Sequence, residues 1–275
     1  MRFASPDHER LAAGLLGLTL GQFRARHLAG PVDLPPEFER LARRLERGQP
    51  LQYLLGRAAF RALELKIGPG AFIPRPETEV VAGAAIAALA QAPRAGRLAV
   101  DLGTGAGPIA AALASEVPGA RVWAVERAWA ALGQARANLE PLGVEVVGAD
   151  AAAIARPAGP LAQLAGAVAV VAANPPYLPP DAVLGPGVAE HEPPAALFGG
   201  GPAGLEAPLV FLAAAARLLR PGGVVVLEHG PPQAAALRAA ARQDGLFEAA
   251  ATGRDLDGRD RYLRATRTAA GQLGG

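Results

Sequence analysis

The stretch Val100-Asp101-Leu102-Gly103-Thr104-Gly105-Ala106-Gly107-Pro108-Ile109 decides how the chain is read. An apolar run ends on an acid, three glycines follow, and a proline opens the next apolar run. The pattern predicts a buried strand, a tight turn and a helix. Glycines there let backbone N–H groups approach a ligand at the positive end of a helix. The spacing is G-x-G-x-G, whereas a dinucleotide fingerprint requires G-x-G-x-x-G and a P-loop requires a lysine that is absent. Asp101, just before the loop, suits a cationic group such as an ammonium or a sulfonium better than a phosphate. The bland alternative is a strand–helix turn with no ligand.

Working downstream, the same alternation repeats. Strands are predicted at Leu98–Leu102, Arg121–Glu126, Val144–Gly148, Ala167–Ala173 and Gly223–Glu228. Helices are predicted at Ile109–Glu116, Trp129–Leu139, Leu209–Leu219 and Gln233–Asp244. This rhythm predicts an α/β fold with a mostly parallel, Rossmann-like sheet covered on both faces. Leu246–Ala251 and Arg261–Ala265 read as a closing antiparallel hairpin. Leu178 to Ala207 is rich in Pro and Gly without periodicity, a loop long enough to be a lid or a binding loop. Trp123 and Trp129 read as packing residues.

Acids punctuate the ends of the predicted strands. Glu126, about 20 residues after the glycine loop, suits the two hydroxyls of a ribose; otherwise it is an exposed strand-end acid. Asp150 suits an adenine amino group, or equally the N-cap of a helix over Ala151–Ile154. Three acids, Asp101, Glu126 and Asp150, outline the carboxyl edge of the sheet, where open α/β folds bind ligands.

Working upstream, residues 1–55 read as an N-terminal helical domain, with Leu11, Leu15, Leu16 and Leu18 on one apolar face and Phe38, Leu41 and Leu45 on another. From Gln52 to Ile73 the pattern turns extended, and residues 56–73 read as a β-hairpin linker. Pro74-Arg75-Pro76-Glu77-Thr78-Glu79 opens a helix, with Pro76 in its first turn. Residues 74–266 form the α/β domain, and 267–275 read as a flexible tail.

Composition narrows the classes. With no cysteine in 275 residues, disulfides, thiol catalysis and Cys–zinc sites are excluded, and four scattered histidines show no metal spacing. The net charge is only +2 and no basic run tracks a phosphate backbone. Neither a signal peptide nor an uninterrupted membrane-spanning segment is visible, so a cytoplasmic protein is expected.

The second informative stretch is Ala172-Ala173-Asn174-Pro175-Pro176-Tyr177-Leu178-Pro179-Pro180. A buried strand delivers one amide, and prolines stiffen the exit. Proline fixes φ, so acceptors there hold still. The alternative is a proline-stiffened strand exit with Asn174 capping locally. Glu228-His229 ends another strand, either supporting the site or satisfied locally.

Asp101-Leu102-Gly103-Thr104-Gly105 together with Asn174-Pro175-Pro176-Tyr177 resembles the class I S-adenosylmethionine-dependent methyltransferases that act on a planar amide or amino nitrogen. Gln49–Gly56, Phe72–Glu79, Glu192-Pro193, Glu228-His229-Gly230 and Gly258-Arg259-Asp260-Arg261 bring the resemblance closer to the PrmC/HemK family, over about residues 49–265. The resemblance implies transfer of a methyl group from S-adenosylmethionine, leaving S-adenosylhomocysteine, to the glutamine amide in the Gly-Gly-Gln motif of class 1 peptide chain release factors. It implies that Asp101, Gly103, Thr104, Gly105, Ala106, Gly107, Glu126, Asp150, Ala151 and Asn174 form the cofactor site. It implies that Asn174, Pro175, Pro176 and Tyr177, walled by Arg75 and Pro76, hold the glutamine, with Asn174 and Pro175 carrying the chemistry. No metal, membrane or nucleic-acid partner and a monomeric state are expected, with the N-terminal helices engaging the release factor. Two departures stand out: Ala151 occupies a place often aromatic in the family, and Ala203 one often acidic. The rival readings are an N6-adenine methyltransferase, an NAD-dependent oxidoreductase and a silent binding module.

Overall fold

The structure, a computed structural model, describes residues 3, 5–154, 156 and 158–269. It opens with four helices, α1 (Pro6–Leu15), α2 (Leu20–Ala29), α3 (Phe38–Glu46) and α4 (Leu51–Leu55). Ser5 caps α1, and Thr19 with Gln22 forms a capping box on α2. Leu11, Ala12, Phe23, Phe38 and Leu41 close a small core of their own. Helix α4 corrects the expectation of extended chain from Gln52. Tyr53 turns inward and its hydroxyl donates to the carbonyl of Ala71, and Gly56, with φ of 70°, ends the turn.

An antiparallel hairpin follows, β1 (Arg57–Phe60) and β2 (Leu63–Lys66), and then α5 (Pro76–Ala90). The α/β region continues through β3 (Leu98–Leu102), α6 (Pro108–Glu116), β4 (Arg121–Glu126), α7 (Trp129–Leu139), β5 (Glu145–Gly148) and α8 (Ala151–Ile154). It closes with β6 (Val168–Ala173), α9 (Val188–His191), α10 (Glu206–Leu218), β7 (Leu219–Glu228), α11 (Ala234–Arg242), β8 (Phe247–Arg254) and β9 (Asp260–Arg267). The seven strands lie in the order β5-β4-β3-β6-β7-β9-β8. β3 to β7 run parallel, and β9 is antiparallel to both β7 and β8. Strand order reverses at β3, between β4 and β6, so the crevice above that point is where such a sheet accepts a ligand.

The period of two along the strands sorts the core into two layers. Ala99, Val122, Ala124, Val170, Ala172, Val224 and Val226 face α5, α6 and α7. Leu98, Val100, Leu102, Val125, Val171, Val225 and Leu227 face α10 and α11. Each buried Val or Leu contributes roughly 1.5–3 kcal/mol. Alanines on α6 and α10, fully or almost fully buried, let those helices lie close to the sheet.

Several boundaries differ from expectation, among them the start of α10, which begins at Glu206. β7 starts at Leu219, which pairs with Val168 before the register shifts to Val224 opposite Val170. The closing hairpin is longer than expected, because β8 and β9 pair as far as Arg254 and Asp260. β9 also runs into the stretch read as a tail: Arg267 is buried, and its guanidinium donates to the carbonyl of Ala216. The rest of that tail from residue 270 lies outside the described residues.

The first hairpin is fastened to the α/β region. Arg61 at its tip holds Glu116 through Nε and Nη2, and its own N–H donates to Glu79. Asn138 bonds both the N–H and the carbonyl of Lys66, and Gln134 does the same at Gly68. Among the described residues no helix is long and apolar enough to cross a membrane.

Candidate active site

At the carboxyl edge of the sheet lies a cavity of about 720 Å³, lined by the ends of β3, β4, β5, β6 and β7. Asp101, Gly103, Thr104, Gly105, Ala106, Glu126, Asp150, Ala151 and Asn174 all line it, as do Arg75, Pro175, Pro176 and Tyr177. Gly107 and Pro76 do not line it. Gly107 has a φ of 97°, and a Cβ there would meet the Leu139 side chain at 2.8 Å, so its glycine serves the turn into α6. Pro76 sits exposed in the first turn of α5 and shapes that helix start.

The glycine loop leaves β3 through Gly103 and Gly105, both at positive φ. A Cβ on Gly105 would meet nothing within 4 Å, so this side of the loop is open. Asp101 is 1% exposed. Its Oδ2 accepts from the Thr104 hydroxyl at 2.6 Å and from the Ala110 N–H at 3.1 Å. Its Oδ1 is buried without a donor. Burial pushes the carboxyl up to about 7 against the pull of those two bonds. A cationic ligand group beside Oδ1 would supply the missing partner and restore the charge.

Glu126 is also buried, and each oxygen holds a loop. Oε2 accepts from the Gly105 N–H at 2.9 Å and Oε1 from the Ala128 N–H at 2.7 Å. A carboxylate oxygen has two lone pairs, so each retains capacity for a hydroxyl donor. Asp150 meets the capping alternative directly. Its Oδ1 accepts from the Ala152 N–H at 2.8 Å, at the start of α8, and its Oδ2 pairs with Arg127 at 3.0 Å. That backbone bond, followed by Arg127, holds its pKa below the usual range.

Across the cavity, β6 delivers Asn174, whose Nδ2 donates to the Thr78 hydroxyl oxygen at 3.2 Å. No described residue donates to the Asn174 oxygen, which is therefore the free end of the amide. Pro175 is buried behind it. The Tyr177 hydroxyl donates to Glu228 Oε1 at 3.2 Å. Burial and the Glu228 charge raise the Tyr177 pKa, so it stays a neutral donor.

Residues 78–183 match the family model described as the Methyltransferase small domain. A Mycolicibacterium smegmatis protein named release factor glutamine methyltransferase is 44% identical over 263 residues, covering 96% of this chain and 90% of that protein. The chain belongs to the release factor glutamine methyltransferase family. It is an enzyme that transfers a methyl group. A Streptomyces coelicolor protein of the same name is 40% identical over 94% of this chain and 89% of that protein. A Streptomyces pristinaespiralis protein named 4-amino-L-phenylalanine/4-methylamino-L-phenylalanine methyltransferase is 41% identical over 82% of this chain and 75% of its own length. Among solved structures, a T. thermophilus 16S rRNA N2 methyltransferase in complex with AdoMet and guanosine shares the fold, with a TM-score of 0.51 and 23% identity over 77% of this chain and 49% of that one.

In this methyltransferase the 178–207 segment forms a wall of the cavity. The Leu197 carbonyl accepts from the N–H groups of Tyr177 and Leu178, and Gly199 N–H donates to Leu178. Buried Glu192 accepts from the Ile73 N–H at 3.3 Å and pairs with Arg75, tying the Pro-Arg-Pro segment to this wall. Arg75 in turn lies over the Phe72 ring, 4.8 Å from its centre. Gly204, with φ of 67°, packs where a Cβ would fall 2.2 Å from the Tyr177 carbonyl.

Two positioning side chains escaped the sequence reading. Gln233 donates to the carbonyls of Tyr177 and Ala203, each at 2.7 Å, and fastens the turn beside Ala203 where an acid was expected. Asp255 accepts from Arg261 at 2.9 Å, both nearly buried, and so explains the Gly258–Arg261 stretch. Arg261 reaches the cavity beside Glu228 and Tyr177. The packing role expected of Trp129 is corrected: at the start of α7 it is 82% exposed, whereas Trp123 is half-buried against the core. No aromatic stands at Ala151, and the rings lining the cavity are Phe72, Tyr177, Phe198 and Phe211.

Proposed function

We propose that this enzyme transfers a methyl group from S-adenosylmethionine to the side-chain amide nitrogen of the glutamine in the Gly-Gly-Gln motif of class 1 peptide chain release factors, releasing S-adenosylhomocysteine. The observation that carries the reading is the Asn174 amide, anchored by its NH2 with its oxygen free at the cavity. Such an acceptor recognises an N–H donor, and the names of the family's members supply the glutamine.

The residues of the β3–β5 side fit the cofactor. Asp101 Oδ1 lacks a partner and suits an ammonium or sulfonium. The open face of Gly105 leaves room for close approach, and Glu126 retains lone pairs for ribose hydroxyls. Asp150 and Ala151, which line the same side of the cavity, would hold the base. When bound, S-adenosylmethionine supplies a methyl group made electrophilic by its positively charged sulfur.

The chain's own residues supply orientation. An amide nitrogen is a poor nucleophile because its lone pair is delocalised into the carbonyl. The Asn174 oxygen and the Pro175 carbonyl accept its two hydrogens, fixing its direction and favouring a pyramidal nitrogen. Both acceptors are neutral and aimed at hydrogens that become more acidic as the nitrogen attacks. Orientation of this kind is worth up to ~7–11 kcal/mol in ideal cases. Tyr177 packs against the flat amide. The methylated nitrogen sheds a proton readily, so no strong base is assigned.

Mass spectrometry of release-factor peptides after incubation with S-adenosylmethionine tests the reading. One added methyl on the glutamine of Gly-Gly-Gln is expected. Label appearing only in nucleic acid, in line with the adenine alternative, or only in 4-amino-L-phenylalanine would overturn it.

A further inference from the structure

Glu228 ends β7, is 2% exposed and lines the cavity, yet no step above uses it. Its Oε1 accepts from Tyr177, while its Oε2 is buried without a donor. The Thr78 hydroxyl lies beside this carboxyl and favours its charged form. Thr78 is 2% exposed, and its oxygen accepts the Asn174 NH2. An acceptor without a donor therefore adjoins a hydroxyl with one proton to place.

These contacts have a polarity. A carboxylate carries no proton, so a hydroxyl facing it must donate. A Thr78 hydroxyl that turns its only proton to the undonated Oε2 of Glu228 can only accept from Asn174, as it does here. The amide is then bound to present NH2 to Thr78 and oxygen to the cavity. Were the carboxyl protonated, it could donate to Thr78, and Thr78 could donate to the Asn174 oxygen. The amide would then turn its NH2 toward the cavity and oppose a substrate N–H, donor against donor.

We propose that Glu228, acting through Thr78, is a positioning residue that sets which end of the Asn174 amide faces the substrate nitrogen. The proposal deepens the glutamine reading and rests on it for the identity of that nitrogen. The groups facing Glu228 are Glu77 and Thr78 from α5, Tyr177 from the β6 exit and Arg261 from β9, itself held by Asp255. Burial dominates and pushes Glu228 up, with Glu77 adding to it, while Thr78, Arg261 and Tyr177 pull it down, leaving it at about 7. Asp101 titrates in the same range on the other side of the cavity.

The test follows kcat at saturating S-adenosylmethionine and release factor from about pH 5.5 to about 9. Wild-type kcat falls as the pH drops through about 7, the side on which Glu228 gains its proton. Glu228→Gln removes this limb and lowers kcat at high pH roughly 10–100-fold, with cofactor affinity within a few-fold. Thr78→Val gives the same loss, and Thr78→Ser recovers most of it. Asp101→Asn is the control for the second acid, and the limb survives in it. Independently, the Asn174 side-chain NH2 resonances of the substrate-free enzyme shift with a midpoint near 7 in wild type and stay fixed in Glu228→Gln. That measurement needs no turnover, so it separates failure of the relay from failure of the glutamine reading. A limb that persists in Glu228→Gln, a Thr78→Val enzyme within about twofold of wild-type kcat, or Asn174 resonances indifferent to pH overturns the proposal.

Discussion

On the β3–β5 side of the cavity, the strand-end acids are held by near neighbours in the chain, whereas on the β6–β7 side most of the partners come from far away. Thr104 and Asp101 are 3 residues apart, Ala110 and Asp101 9, Gly105 and Glu126 21, and Arg127 and Asp150 23. Across the cavity, Asn174 and Thr78 are 96 apart, Tyr177 and Glu228 51, Arg75 and Glu192 117, and Gln233 and Tyr177 56. The first side is a motif, assembled as soon as its strand–turn–helix forms. The second is a tertiary assembly, which exists only once α5, the 178–207 wall and the start of α11 have docked. A site that grips a constant ligand can be local. A site that orients a weak nucleophile needs walls from several elements.

The largest effect should come from the far side. Asn174→Ala removes the free acceptor, and kcat falls roughly 10²–10³-fold, the scale of losing one aligned transition-state bond. Affinity for S-adenosylmethionine, read by titration calorimetry, stays within a few-fold of wild type. Equal loss of both would make Asn174 a cofactor ligand and erase the division between the two sides.

Asp101→Asn tests the near side, and activity and stability move in opposite directions. Loss of the charged partner weakens cofactor binding roughly 10–100-fold. The ligand-free enzyme, however, becomes more stable at high pH. The carboxyl's folded pKa of about 7 lies above its ordinary 3.8, so the fold prefers the neutral acid. That stabilisation is complete below the unfolded value and is lost as pH rises through about 7. The loss is on the order of a few kcal/mol, and the asparagine variant escapes it. Thermal unfolding should show the variant ahead at about pH 8 and level with wild type near pH 4. An advantage that did not change with pH would show that Asp101 carries no buried-charge cost.

Gln233→Ala probes the long-range wall with a smaller effect. The carbonyls of Tyr177 and Ala203 lose their donor and the Gly230 N–H loses its acceptor. Each of these part-buried bonds contributes roughly 0.5–1.5 kcal/mol, and kcat/KM on a Gly-Gly-Gln peptide falls roughly tenfold. Cofactor affinity changes less, and an equal change would show that the wall serves both sides.

This division also explains what could be read from the sequence. The acids at the strand ends and the glycine loop stood out, since a period of two and a short strand–turn–helix spacing are local signals. Asn174 was visible because its own prolines flank it. Gln233 carried no such signal, because its partners at Tyr177 and Ala203 meet it only in the fold. Thr78 was visible within Pro74–Glu79, but not its tie to Asn174 at the exit of β6. Trp129 was misjudged because a large apolar residue at a helix start reads as core, and nothing local says which way the first turn of α7 faces. Helix α4 was missed because five residues are too few to display a period.

Asp150 gives the smallest expected effect and the finest test of the near side. Its side chain is 45% exposed and already serves Ala152 and Arg127. Exposed groups in such pairs contribute little, and α8 is a single turn. Asp150→Ala should therefore cost about 1 kcal/mol of stability, the value of a lost cap. Cofactor affinity should weaken only a few-fold, in a titration at low ionic strength. Asp150→Asn keeps a capping oxygen while losing the charge, so it should recover the stability. If both variants lost affinity a hundredfold or more, about 2.7 kcal/mol, the aspartate would be a direct contact to the base. The near side would then depend on an exposed side chain as heavily as on its buried ones, and locality of the chain would no longer account for how it binds.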